Sequence, residues 1–198
     1  MAGLRERKKA LTRATIAACA AELFARNGFR AVTMIEVAEA AEVSEQTVYN
    51  HFPTKESLVF DRADELRAAL LDLDQYSGVV ANYWEWLSAA VLGTSARRAI
   101  GNPGGMPRLV ATDAGLRRYL LELADSWSSA LAEVWVARPS GRFDDAVVAR
   151  TLTDALLHVF VRAVDRLGTI ETEEEIDALE AEIRTALDVF RPAFAAIG

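Results

Sequence analysis

Cysteine is almost missing from this sequence, and its scarcity excludes a good deal. With Cys19 alone there is no intrachain disulfide, and with only His51 and His158 beside it no Cys/His metal cluster can be assembled. Proline is scarce, at 5 of 198 residues, and few segments alternate apolar with polar, which leaves little room for strands. No apolar run is long enough to cross a membrane. The basic N-terminus resembles a signal peptide only faintly: the run Ile16 to Ala21 is short, Glu22 interrupts it, and Leu23 and Phe24 continue a helical stripe. A nucleophile elbow, a dinucleotide fingerprint and a P-loop are all absent, and Gly101 to Gly105 lacks the Gly-Lys-Ser/Thr ending that would make it a phosphate cradle. Neither an enzyme nor a cofactor is expected, and the chain reads as cytoplasmic.

What is present is helical and unevenly charged. Apolar residues make up 52% and charged residues 26%, a globular composition rich in Ala and Leu, so an all-α fold is expected. The net charge of -7 is split along the chain. Residues 1–30 hold seven bases (Arg5, Arg7, Lys8, Lys9, Arg13, Arg26, Arg30) against Glu6 and Glu22, a surplus of +5, which leaves -12 for the rest. A basic arm on an acidic body is the pattern of a protein that touches a polyanion with one end only.

In the first sixty residues, Ile16, Ala20, Leu23 and Phe24 form a buried stripe on a helix from about Lys8 to Asn27, with Gly28 suited to a left-handed cap. Thr33 and Glu36 form a capping box for a short second helix carrying Met34, Val37, Ala38 and Ala41. Ser44 caps a third, from Glu45 to about His51, anchored by Val48 and Phe52. Gln46, Thr47, Tyr49, Asn50 and His51 are left with no core to enter. Thr54 then caps a fourth helix carrying Leu58, Val59, Leu66, Leu70 and Leu73. Two short helices joined by a tight turn, the second lined with amides and hydroxyls, form a helix-turn-helix. Gln and Asn bond base edges, Thr meets a thymine methyl, and Tyr, His and Lys reach phosphates.

The run AELFARNGFRAVTMIEVAEAAEVSEQTVYNHFPTKESLV, Ala21 to Val59, resembles the DNA-binding region of the TetR (tetracycline-repressor-like) family, and Thr47 to Glu56 carries the most specific part of the match. The resemblance implies an N-terminal three-helix DNA-binding domain over residues 1–54 and a C-terminal helical ligand-binding and dimerisation domain over 55–198. It implies phosphate contacts from Thr33, Tyr49, His51 and Lys55, with groove contacts from Glu45, Gln46, Thr47 and Asn50 on the helix that Ser44 opens. The partners implied are double-stranded DNA bearing a palindromic operator, a second copy of the chain, and a small-molecule effector that releases the operator. Repression is the commoner mode in the family. One departure is visible: Glu42 stands where the family often has Gly, so the turn forgoes that residue's left-handed freedom.

Beyond Leu73 the resemblance is to architecture only. Gln75 to Gly78 breaks the chain before a helix from about Val79 to Arg98; a short helix spans Pro107 to Ala111, and a long one Asp113 to Ala137, ahead of Pro139-Ser140-Gly141. The next spans about Asp144 to Leu167. Thr172 and Glu175 cap a final one reaching about Ala196, so the acidic triplet Glu173 to Glu175 serves the helix dipole. The last two are amphipathic, and the family resemblance assigns Leu152, Leu156, Val159, Ile183, Leu187 and Phe190 to dimerisation, with the subunit's own core as the alternative. Trp84, Met106, Tyr119, Trp127 and His158 are the candidates for an effector pocket, each also readable as core. A helical interaction module that only resembles a DNA reader stays open as a rival, and specific, salt-sensitive DNA retention discriminates.

Overall fold

The computed structural model describes residues 2–73, 78–92, 100–137 and 145–196, and among these every regular element is helical. In chain order they are α1 (Ala2–Asn27), α2 (Met34–Ala40), α3 (Glu45–His51), α4 (Lys55–Val59), α5 (Ala63–Leu71), α6 (Val79–Leu87) with a π-helical turn at Ser88–Leu92, α7 (Met106–Thr112), α8 (Ala114–Ala137), α9 (Ala146–Leu167) and α10 (Glu173–Ala196). The breaks expected at Gln75–Ser77 and Pro139–Gly141, and the helix ends expected near Arg98 and Asp144, lie outside the described residues.

The N-terminal helices close around the side chains their spacing selects. Ile16, Ala20 and Phe24 of α1 meet Val37 and Ala38 of α2, Val48 of α3, and Phe52 just after it, all buried. Both expected caps of α2 form: the Thr33 hydroxyl accepts from the Glu36 amide at 3.2 Å, and the Glu36 carboxylate accepts the Thr33 amide at 2.7 Å. Helix α1 begins six residues earlier than its apolar stripe requires, because Leu4 to Lys9 are good helix formers on a fully solvated turn.

One expected helix is two. The stretch after Thr54 stops at Val59 and restarts at Ala63, and the joint at Phe60 to Arg62 contains neither Gly nor Pro. At this joint a side chain of α1 takes one of the freed carbonyls, as described below.

In the body, α8 and α9 run antiparallel, joined by a buried hydroxyl pair, Ser128 and Thr153 at 2.9 Å, and by Arg117 with Asp165 at 2.7 Å. The final helix lies over α6 and α9, with Arg184 placed 4.2 Å over the Trp84 ring. Contacts from α1 and the loop after it fix the N-terminal helices to the body. Arg30 donates to Asp113 at 2.7 Å, while the other Asp113 oxygen caps α8 through Gly115 and Leu116. Gly104 lies so close to α1 that a Cβ there would stand 2.3 Å from the Ala21 carbonyl oxygen, a contact that no other residue permits.

Candidate nucleic-acid interface and central cavity

The turn between α2 and α3 is a Schellman-type reversal. The Val43 amide reaches the Ala38 carbonyl at 3.0 Å and the Glu42 amide reaches that of Glu39 at 3.1 Å. That geometry needs a left-handed residue after the helix, and Glu42 supplies it at φ 53, the one non-glycine with positive φ among the described residues. The departure noted in the sequence is therefore met by strain, since Glu42 adopts the conformation that glycine would take freely.

On α3, Val48 is fully buried while Glu45, Gln46, Tyr49 and Asn50 are exposed on the opposite side. Ser44 and Thr47 are joined hydroxyl to hydroxyl at 2.7 Å, and the Ser44 oxygen also accepts the Thr47 amide, so both serve the cap. The Gln46 amide nitrogen donates to the Asn50 side-chain oxygen at 3.1 Å, which makes the two expected base readers a single preoriented pair. His51 is half-buried, and burial first, then Arg13 and Lys9, holds its imidazole below the usual pKa.

Two residues expected at phosphates are engaged elsewhere. The Thr33 hydroxyl donates to Glu36 at 2.9 Å, so its bonding is spent on the cap. The Lys55 ammonium donates to the carbonyls of Phe29 at 2.8 Å and Val32 at 2.9 Å, lies near that of Arg30, and sits 4.4 Å over the Phe29 ring. It clamps the α1–α2 loop, in place of the free ammonium that the sequence leads one to expect.

Arg13, which sequence reasoning counted only as a charge, is the central side chain of this region. Its NH1 donates to the His51 carbonyl at 2.6 Å and its NH2 to the Asp61 carbonyl at 2.7 Å, and its guanidinium lies 4.2 Å over the Phe52 ring. One planar fork thus ties α1 to the end of α3 and to the α4–α5 joint. No local signal announces it, because the partners are 38 and 48 residues away.

That joint is also a wall of a cavity of about 180 Å³. Phe60, Asp61 and Arg62 line it with Ala90 and Val91 of the π-helical turn, the start of α7, and Leu120, Leu123, Trp127 and Phe160. Trp86 backs the site, its ring 6.4 Å from Trp127 and 5.5 Å from Phe160, with its indole nitrogen donating to the Leu66 carbonyl at 2.9 Å. Of the pocket candidates from the sequence, Met106 and Trp127 are in this lining. The other three are not: Tyr119 packs against Phe60 at 5.2 Å outside it, Trp84 lies on the far side of α6 beneath Arg184, and His158 is exposed on α9. The histidine is displaced because the inward stripe of α9 runs through Leu152, Leu156, Phe160 and Ala163, half a turn away.

Of the dimerisation candidates, Leu152, Leu156, Ile183 and Leu187 are 8%, 0%, 6% and 1% exposed within a single subunit, which is the core alternative left open by the sequence. Val159 and Phe190 are half-buried at the edge of that core.

Residues 16–61, which run from the middle of α1 to just past α4, match the family model for bacterial regulatory proteins of the tetR family. Over 96% of its length the chain is 28% identical to the HTH-type transcriptional regulator TcmR of Streptomyces glaucescens, covering 87% of that protein. It is 29% identical to the HTH-type transcriptional regulator AlkX of Mycobacterium tuberculosis over 82% of this chain and 75% of that one. Among solved structures, NalD, the secondary repressor of the MexAB-OprM multidrug efflux pump in Pseudomonas aeruginosa, aligns over 91% of this chain and 97% of its own, with a TM-score of 0.49 and 16% identity. The family match lies over the helix-turn-helix, so residues 16–61 carry a DNA-binding domain of the tetR family, and the two relatives that align beyond it are transcriptional regulators.

Proposed function

We propose that the protein is a homodimeric repressor that holds a palindromic operator and is released from it by a small molecule bound in the central cavity. The observation that carries this reading is a shared joint. Phe60 to Arg62 line the cavity, and the guanidinium that holds the Asp61 carbonyl also holds the last carbonyl of α3. An effector that favours a different joint geometry therefore disfavours the α3 position that fits DNA, and by linkage DNA weakens effector binding by the same factor.

In this reading Gln46 and Asn50 read base edges as a pair, Glu45 and Thr47 flank them, and Tyr49 and His51 meet phosphates. Ser44, Thr33 and Lys55 hold the reading helix and its neighbours in place. The C-terminal boundary of the DNA-binding unit falls at about residue 54, and the remainder regulates and dimerises. Because the inward stripes of α9 and α10 are spent on the subunit core, the dimer uses their outward stripes: Thr151, Ala155 and Val159 on one, and Ala178, Thr185 and Val189 on the other. A twofold axis through these helices sets two copies of α3 about 34–36 Å apart, or a multiple of that, as two half-sites require.

Selection of bound fragments from random DNA by the purified protein tests the core of the proposal. A palindromic consensus whose binding falls steeply with salt is the expected result, with Asn50→Ala relaxing preference at one base pair of each half-site by about 1–3 kcal/mol. Recovery of non-palindromic or random fragments would refute it.

A further inference from the structure

The central cavity is almost uniformly apolar, and its departure from that uniformity is specific. Among the described residues, two ionisable ones line it, Asp61 and Arg62. Arg62 has an outlet: its guanidinium is half-exposed and lies 3.7 Å from Glu65. Asp61 has none, for among the described residues no cation comes within ion-pair distance of its carboxylate, and the nearby Arg13 fork is committed to two carbonyls. Burial accordingly raises the pKa of this carboxyl, opposed by the charges of Arg13 and Arg62 at longer range and by a hydrogen bond from the Arg62 backbone amide. A partly buried carboxylate without a cation partner is costly, and whatever fills the space beside it gains by bringing one.

Trp127 and Phe160, with ring centroids 5.7 Å apart, also line the cavity and offer aromatic surface to a ring. The volume of about 180 Å³ slightly exceeds the roughly 150 Å³ of an engineered cavity that holds benzene. Leu66, Val91, Leu120 and Leu123 supply the apolar remainder.

From these features, and resting on the cavity as the effector site, we propose that the effector is a compact one- or two-ring organic cation. Its protonated nitrogen pairs with Asp61, and its rings lie against Trp127, Phe160 and Leu120. Such a ligand neutralises the one unpaired charge of the cavity at the residue whose carbonyl anchors Arg13, so charge recognition and operator release meet in a single residue.

Three probes that differ only in one substituent decide the matter: 2-naphthylmethylammonium, 2-naphthalenemethanol and 2-naphthoate. Each is titrated calorimetrically into the full-length protein and into Asp61→Asn, with labelled operator used to follow release. For the unaltered protein, the ammonium should bind about tenfold or more tighter than the alcohol, the naphthoate should bind worst, and the ammonium preference should fall to about twofold or less in Asp61→Asn. Alcohol binding reports that the variant is folded, and Asp61→Ser repeats the comparison with a second neutral side chain. Equal affinity for ammonium and alcohol, or an ammonium preference that survives both substitutions, overturns the charge assignment. If the alcohol alone binds and releases operator, the effector site stands and the cation falls. If none of the three binds, both fall.

Discussion

Arg13 holds the last carbonyl of the recognition helix: its NH1 lies 2.6 Å from the oxygen of His51, while the other arm of the same fork holds Asp61. Both terminal nitrogens of the guanidinium donate to backbone carbonyls, so the role we propose for Arg13 is to position α3. Arg13→Ala should cost the N-terminal region about 1–3 kcal/mol in urea unfolding and weaken binding to all DNA sequences together. The slope of affinity against salt should stay unchanged, since no phosphate contact is removed. A slope reduced by about one unit would instead place Arg13 on a phosphate.

The phosphate contact proposed for His51 predicts a pH dependence of binding. In the free protein burial holds its pKa below the ordinary value, so the imidazole is neutral at pH 7, and the fold loses stability as the pH falls below that ordinary value. A phosphate beside the ring favours the protonated form, so DNA binding takes up a proton. Operator affinity should rise as the pH is lowered from about 7.5 to 6. His51→Gln should flatten that rise. A pH-independent affinity in the unaltered protein would remove His51 from the phosphate backbone.

The Lys55 clamp separates stability from contact. Lys55→Met keeps an apolar stem but deletes the ammonium that lies over the Phe29 ring and donates to the Phe29 and Val32 carbonyls, and should lower the stability of the N-terminal region by about 1–2 kcal/mol. A thermal midpoint identical to that of the unaltered protein, together with weakened DNA binding, would return Lys55 to the role of a free phosphate ligand.

Glu42 carries strain that glycine relieves. Its left-handed backbone costs an ordinary residue about 1–2 kcal/mol, partly offset by the extra unfolded-state freedom of glycine, about 0.5–1 kcal/mol. Glu42→Gly should therefore stabilise the protein by up to about 1 kcal/mol. Denaturant unfolding reads the sign directly, and a loss of stability would contradict it.

The outward and inward faces of α10 make opposite predictions. Val189, 73% exposed, should tolerate Asp in the folded subunit while the dimer dissociation constant rises about tenfold or more. Leu187→Asp buries an unpaired charge and should unfold the body. Sedimentation at several concentrations, paired with circular dichroism, distinguishes the two. A Val189→Asp protein that dimerises normally would move the interface elsewhere.

Which features could be foreseen depends on how far apart in sequence their causes lie. The caps at Thr33, Ser44 and Thr172 involve residues three apart, and each forms as expected. The stripe through Leu152 and Leu156 was legible as buried, but periodicity cannot say whether the covering surface belongs to the same subunit. The break at Phe60 to Arg62 was hidden because Leu58, Val59, Leu66 and Leu70 continue a helical period across it, and the side chain that binds its carbonyl, Arg13, is 48 residues away. Asp61 was missed for the same reason: a lone acid among helical charges looks solvated until the fold sets it against a cavity.

The two oxygens that Arg13 grips belong to peptide groups, which every amino acid carries. Replacing the side chain at position 51 or 61 leaves the linkage intact, provided the backbone keeps its path. Recognition surface and ligand chamber can therefore diverge independently, each acquiring a new specificity without rebuilding the wire between them. A hybrid that combines a foreign reading helix with this body should stay inducible so long as it retains the arginine, which makes the fork a modular connector for engineered sensors.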